Sequence, residues 1–150
     1  GIGFGNAGCH LPHGMSYAVA GLVKDYSPEG WPTDHKMVPH GISVIVNSPA
    51  VFRKTGPACA ERHWQAAAAM GADLTDTNVE EGGSILADQI LGMMRETGIP
   101  NGLSGVGYSM DDLDALTGRS YAQKRLIDNG PMPISRDELK ELFRNAMSYW

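Results

Sequence analysis

The sequence has few of the features that mark a secreted, membrane-spanning or nucleic-acid-binding protein. Two cysteines in 150 residues are too few for a disulfide framework and fit a reducing compartment. The apolar runs all fall short of the ~18 residues that a membrane helix needs. Acidic side chains outnumber basic ones, 17 to 12, which is unfavourable for binding nucleic acid. We therefore expect neither a nucleic acid nor a membrane as a partner.

The composition is that of an ordinary globular domain. Hydrophobic residues make up 42% of the chain and charged residues 19%, and 150 residues can bury a core. The glycines and prolines, 19 and 9, fall between short segments instead of forming a low-complexity tract. One domain covering residues 1–150 is therefore predicted.

Helical spacing is the dominant local pattern. Met15, Ala18, Val19 and Leu22 stand at i, i+3, i+4 and i+7, which predicts a helix over 12–24. Other segments have a hydroxyl and a carboxylate three residues apart before an apolar stripe, as in a capping box. These pairs are Thr77 with Glu80, Ser109 with Asp112, and Ser135 with Glu138.

Other signals are less uniform. The β-branched run from Ile42 to Val46 favours a strand by propensity. Pro57 suits the first turn of a helix that runs through Met70, with Gly71 just past its end. The stretch 27–32, which contains two prolines and a glycine, predicts a loop.

Two histidines stand in the same local frame. His13 and His40 each lie between a proline and a glycine, and imidazole is the commonest metal ligand in proteins. A catalytic metal site needs at least three protein ligands and an open position, so this pair is half of a site. The alternative is that both histidines only cap or pack at helix ends.

A dinucleotide fingerprint also occurs, and we reject it. Gly3, Gly5 and Gly8 have the spacing G-x-G-x-x-G, but only two residues precede Gly3. The fingerprint requires a strand before it and a βαβ unit around it.

Several segments together resemble the C-terminal part of the iron-containing alcohol dehydrogenases. They are FGNAG at 4–8, HGMSY at 13–17, PHG at 39–41, SPAVF at 48–52, ERH at 61–63 and VGYS at 106–109. The resemblance extends over nearly the whole chain and is closest to the hydroxyacid-oxoacid transhydrogenase branch. It implies an all-α, bundle-like domain of the dehydroquinate synthase-like type, and hence a helix at 42–46 despite its propensity.

The resemblance also implies cofactors that this domain only partly holds. His13 and His40 would bind Fe²⁺, or alternatively Zn²⁺, together with an aspartate and a histidine from an upstream helix. NAD would be bound mainly by a Rossmann-like domain N-terminal to Gly1. We therefore expect Gly1 to lie inside a longer protein, and the 150 residues alone to be inactive.

The same resemblance assigns further site residues. Tyr17 stands where many members have a histidine near the nicotinamide, so it is a candidate catalytic residue; packing beside the metal is the alternative. Phe4 would line the substrate pocket. His10 is expected to line the pocket and bind substrate, with a role as an extra ligand as the alternative. By their own positions, His35 in a polar loop and His63 on a polar helix face are expected to be solvated. Residues 26–37 are expected to form an inserted loop.

The implied reaction is hydride transfer between a hydroxy acid and an oxo acid, such as 4-hydroxybutyrate and 2-oxoglutarate. One alternative is an iron-dependent dehydrogenase of simple alcohols; another is a non-catalytic helical module for packing or dimerisation. The expected partners are the acid substrates, the chain's own N-terminal domain and, as a further candidate, a second copy of the chain. The expected location is the cytoplasm, or the mitochondrial matrix in a eukaryote.

Overall fold

The computed structural model describes residues 1–31 and 34–150. Over these residues the regular structure is helical and contains no strand, which confirms the all-α prediction. The α-helices are α1 (Ile2–Ala7), α2 (Leu11–Gly21), α3 (His40–Ile45), α4 (Ser48–Thr55), α5 (Ala60–Ala69), α6 (Gly82–Glu96), α7 (Leu113–Tyr121), α8 (Lys124–Ile127) and α9 (Arg136–Asn145). Single 3₁₀ turns cover Gly56–Ala58, Val79–Glu81, Ser104–Val106 and Met110–Asp112.

Helix α2 lies at the centre of one half of the bundle. It packs against α3, α7 and α8, while α6 packs against α4 and α5 in the other half. Helix α9 contacts both α4 and α7 and so joins the two halves. The fully buried side chains of α2 and α9 belong to one apolar core, to which α4, α5, α6 and α7 also contribute. Among them are Leu11, Met15 and Val19 of α2 and Leu139 and Phe143 of α9.

The β-branched run is helical, as the family resemblance implied. Residues 42–45 belong to α3, and the following polar residues complete its end. The Asn47 side chain donates to the Ser43 carbonyl at 2.8 Å, and the Ser48 hydroxyl donates to the Val44 carbonyl at 3.1 Å. The first bond pairs a carbonyl at the end of a short helix, and the second adds to the bond that the Asn47 amide already donates to the Val44 carbonyl at 3.2 Å. Helix α3 also packs against α2 and α4, and this tertiary context overrides the strand propensity of the run.

Two of the three predicted capping boxes are confirmed. Ser109 with Asp112 and Ser135 with Glu138 both form. The pair Thr77 with Glu80 is wrong, because the box forms one residue later, between Asn78 and Glu81.

The reason for this shift lies in the partners of Thr77. Its hydroxyl donates to the Leu74 carbonyl at 2.8 Å and accepts the indole N–H of Trp64 at 3.3 Å. The Thr77 hydroxyl therefore bonds within the preceding turn, and Asn78 caps the following helix instead.

Two helix boundaries also differ from the predictions. Helix α2 ends at Gly21, short of residue 24. Pro57 lies in a 3₁₀ turn, and Cys59, with φ −153° and ψ 55°, separates that turn from α5. The predicted end is confirmed, since α5 stops at Ala69 and Gly71 has φ +89°.

The predicted loop of residues 27–32 is confirmed over 27–31, which contain no helix; Pro32 and Thr33 lie outside the described residues. The wider insertion has its two ends tied together, since the Met37 amide donates to the Tyr26 carbonyl at 2.9 Å. Within the described residues, no helix is long and apolar enough to cross a membrane.

The start of α6 depends on glycine. A Cβ atom on Gly83 would lie 2.6 Å from the Gly56 Cα atom and 2.6 Å from the Phe52 carbonyl oxygen. Both of these atoms are backbone, so neither can move aside without shifting α4. Because Gly56 and Gly83 have no side chains, α4 and α6 can approach each other this closely.

We expect Gly83→Ala to lower the free energy of unfolding by about 2–3 kcal/mol, because the methyl group overpacks a backbone contact. Gly92→Ala is the matched control in the same helix. Its Cβ would meet no atom within 4 Å. It should instead stabilise the protein by about 0.5–1 kcal/mol through helix propensity. Chemical denaturation of both variants measures the difference, and equal effects would contradict the packing argument.

Glu138 gives a pH-dependent contribution to stability. Its carboxylate pairs with the Lys54 ammonium at 2.7 Å and accepts from the Ser135 amide and hydroxyl at 3.0 and 2.9 Å. The hydrogen bond from Lys54 and then those from Ser135 lower the pKa of Glu138 from 4.5 to about 2.

A lowered pKa means that the native state favours the ionised carboxylate, so this stability is present above pH 4.5 and lost as the pH falls towards 2. Glu138→Gln should therefore lower the midpoint of thermal unfolding at pH 7, and the difference from wild type should shrink between pH 4.5 and 2. Thermal scans across this range test it; a difference that stays constant with pH would show that charge is not the cause.

Candidate metal centre

The structure brings His13 and His40 together at the ends of two packed helices. His13 lies in the first turn of α2, and His40 is the first residue of α3. The centroids of their imidazole rings are 5.2 Å apart, and the ring planes are inclined at 55°. Two imidazoles at this separation can direct one nitrogen each at a shared ion.

The backbone carbonyl of each histidine accepts a hydrogen bond from a serine three residues further on. The Ser16 hydroxyl donates to the His13 carbonyl at 2.8 Å, and the Ser43 hydroxyl donates to the His40 carbonyl at 2.8 Å. Both serines are buried, at 2% and 0% exposure. The repeated frame is therefore Pro-His-Gly-x-Ser, and sequence reasoning missed its last position although the repeat is visible in the sequence.

The protonation state suits a metal ligand. Partial burial and then the proximity of His40 lower the pKa of His13. A lowered pKa favours the neutral imidazole, which is the form that binds a metal ion. The donor set therefore fits two ligands of a divalent ion. Among the described residues, no group of three or more His, Cys, Asp and Glu side chains could hold a metal.

A cavity of about 280 Å³ opens beside the two imidazoles. Phe4 and Tyr17 line it together with His13 and His40, so four of the five predicted site residues share one cavity. Tyr17 is 49% exposed and Phe4 is 66% exposed, so both offer their rings to whatever enters. On the other side, Tyr17 and His40 also line a second cavity with Arg119.

His10 is the predicted site residue that does not line this cavity. It faces a neighbouring cavity of about 400 Å³ with Phe52 and His63. Burial, and then the positive charge that His63 and His13 can carry, lower the pKa of His10.

The expectation that His63 is solvated is wrong. Its side chain is only 7% exposed. One ring nitrogen lies 2.9 Å from the Thr55 hydroxyl, and the other lies 3.2 Å from the Cys59 sulfur. Phe52 covers the ring edge-on at 5.6 Å between centroids. The polar helix face proposed for His63 is in fact closed by α4. His35 is exposed, as expected, beside Asp34.

Helix α8 supplies two lining residues that sequence reasoning did not identify. Arg125 and Leu126 complete the wall of the cavity beside His13. Gly14 allows this approach, since a Cβ there would lie 2.8 Å from the terminal carbon of Ile127. The glycine of the first frame is thus needed for helix packing, whereas a Cβ on Gly41 would meet nothing within 4 Å.

Comparison with known proteins gives a consistent family assignment. Residues 1–147 match the model of the "Fe-containing alcohol dehydrogenase family, C-terminal". The mitochondrial hydroxyacid-oxoacid transhydrogenases of Xenopus laevis and Homo sapiens are 44% and 42% identical to the chain over 150 residues. The match covers 100% of this chain and 32% of each relative, so the chain spans about a third of their length.

Solved structures show the same fold at lower identity. A 1,3-propanediol oxidoreductase superposes with a TM-score of 0.76 over 91% of this chain and 32% of its own, at 21% identity. The alcohol dehydrogenase from Oenococcus oeni gives a TM-score of 0.79 over 97% of this chain and 34% of its own, at 18% identity. At these identities the likeness establishes the fold.

Proposed function

The chain belongs to the iron-containing alcohol dehydrogenase family of oxidoreductases, and from that membership we propose that residues 1–150 form the helical metal-site domain of a hydroxyacid-oxoacid transhydrogenase. The complete enzyme would move a hydride from a hydroxy acid to NAD⁺ and from NADH to an oxo acid. The proposed pair is 4-hydroxybutyrate and 2-oxoglutarate. The observation that carries the proposal is the pairing of His13 and His40 at 5.2 Å, in a chain 44% identical to a transhydrogenase.

His13 and His40 are the residues that would hold the metal, with Fe²⁺ as the proposed ion and Zn²⁺ as the alternative. A bound divalent ion supplies a Lewis acid that polarises the reacting oxygen of the substrate. The remaining ligands and most of the NAD site would come from a domain N-terminal to Gly1. The share of the relatives' length that this chain covers supports such a domain.

Tyr17 is the proposed catalytic residue of this chain. Its phenol can donate a hydrogen bond to a substrate oxygen, and it lines the same cavity as both histidines. Phe4 would form an apolar wall that excludes water from the substrate's carbon chain. His10 would act from the neighbouring cavity; its lowered pKa supports a neutral imidazole that orients substrate by hydrogen bonding.

The location and assembly belong to the same proposal. The names of the relatives support the mitochondrial matrix for a eukaryotic source, and the cytoplasm otherwise. A homodimer remains a proposed assembly, with the acid substrates as the small-molecule partners.

We expect His13→Ala and His40→Ala, in the complete enzyme, each to abolish turnover by losing metal, because removal of one of four ligands leaves the ion exchangeable. Tyr17→Phe keeps both ligands and removes one hydroxyl donor. It should therefore retain its metal and lower the rate by roughly 10²-fold.

Metal analysis and steady-state kinetics on the three variants test these roles. Full metal and activity in the histidine variants would refute the metal site. Loss of metal in Tyr17→Phe would make Tyr17 a ligand and reverse the assignment. Turnover of simple alcohols but of no hydroxy acid by the wild-type enzyme would refute the proposed substrate class.

We further expect residues 1–150 alone to show no dehydrogenase activity and no tight NAD binding, because the proposed nucleotide domain and upstream ligands are missing. Isothermal titration with NAD⁺ tests this, and circular dichroism must first show that the polypeptide is helical. Micromolar NAD binding by the helical polypeptide would contradict the assignment and return attention to the glycines at 3, 5 and 8.

A further inference from the structure

We propose that Arg125 binds the carboxylate of the substrate, in a subsite of the cavity that contains His13, Tyr17 and His40. This inference rests on the proposed function, because it requires that the substrate be an acid. It adds a residue that determines specificity and that lies outside both Pro-His-Gly frames.

The charge of the cavity supports an anionic ligand. Its described lining includes the Arg125 guanidinium, the imidazoles of His13 and His40 and the phenol of Tyr17. Arg125 is the permanent charge among these residues, and none of them is a carboxylate. The cavity is therefore positive, although the whole chain carries a formal charge of −5. Within the lining that this chain supplies, an acid meets a cation and no carboxylate.

The guanidinium is also available. Lys24, Arg53, Lys54, Lys140 and Arg144 each form an ion pair with an Asp or Glu side chain. Within the described part of the chain, no such pair and no hydrogen bond involves the Arg125 side chain. Its donors can therefore bind a ligand without first breaking an internal contact.

The backbone that carries Arg125 is held firmly. Leu126 and Ile127 are buried, at 7% and 0% exposure, and Ile127 packs against Gly14, the residue after His13. Two residues after Ile127, the side-chain amide of Asn129 donates to the carbonyls of Ala7 and Cys9, each at 3.0 Å. Helix α8 and the residues just after it are therefore held against the start of α2, the end of α1 and the segment between them, so Arg125 occupies a defined place beside the imidazoles.

This arrangement selects a class of substrate. Arginine offers two parallel N–H donors that match a carboxylate, and this gives orientation as well as attraction. A short chain would place the carboxylate at Arg125 and the hydroxyl or carbonyl carbon towards the histidines. A simple alcohol would leave the guanidinium without a partner.

Arg119 is the competing candidate, and its surroundings differ. It lines the cavity on the other side of Tyr17, which His13 does not line. Its guanidinium is packed against α2, since a Cβ on Gly21 would lie 2.6 Å from its Nε atom. Lys124, one residue before Arg125, lies over the Tyr121 ring at 3.5 Å and does not line the cavity. It offers a matched control for loss of one positive charge.

The test uses the complete metal-loaded enzyme, with 4-hydroxybutyrate and 2-oxoglutarate as the probes. Arg125→Gln should raise KM for both acids by roughly 10- to 100-fold, the effect of losing hydrogen bonds to a charged group, and change kcat by less than about 3-fold. Arg125→Lys should restore part of the loss, since it restores the charge without the bidentate geometry. Lys124→Gln should match wild type.

Equilibrium binding of 2-oxoglutarate by calorimetry and metal analysis complete the test. Weaker binding by Arg125→Gln at full metal content supports the subsite. An unchanged KM, a loss of metal, or a raised KM in Arg119→Gln instead would overturn it while leaving the proposed function intact. If the wild-type enzyme turns over no hydroxy acid, the proposed function fails and the subsite falls with it.

Discussion

The geometry of the candidate site depends on how the backbone of α2 is held from outside. Two side chains from elsewhere in the fold reach it with buried hydrogen bonds. The Ser120 hydroxyl of α7 donates to the Gly14 carbonyl at 3.0 Å, and the Tyr108 hydroxyl, from the segment between two 3₁₀ turns, donates to the Val19 carbonyl at 2.6 Å. Burial raises the pKa of Tyr108 to about 12, so this donor keeps its proton over the physiological range. Because α2 is fixed at both ends, His13 has little freedom to move away from α3.

The same constraint explains why small residues and hydroxyls surround the site. Gly14 admits Ile127 where a larger residue would force α8 outward, and serines bond to the histidine carbonyls within their own helices. These groups satisfy the backbone without filling the space in front of the imidazoles. The backbone of α2 and α3 is therefore held in place beneath the cavity, which stays open, and the exposed rings of Phe4 and Tyr17 lie at its edge.

Sequence reasoning succeeded where the determining contacts are local. The capping boxes at Ser109 and Ser135 and the two histidine frames are complete within a few residues, so the spacing alone located them. It failed where the burial or the capping of a residue depends on a partner that is distant in the sequence. His63 is buried because Phe52 and Thr55 of α4 close over it, and Thr77 lost its cap because Trp64 engages it. Arg125 lies 112 positions after His13 in a four-residue helix, so no periodicity points to it.

The hydrogen bond between Met37 and Tyr26 makes the position of the site independent of the length of the insertion. This bond holds the two ends of the insertion together, and α3 begins three residues after Met37. The entropic cost of closing a loop rises only slowly with its length. Residues could therefore be added or removed between Tyr26 and Met37 at little cost in stability. The distance between the imidazoles would not change. The insertion is therefore a place where related proteins can vary in sequence and length without disturbing the metal pair.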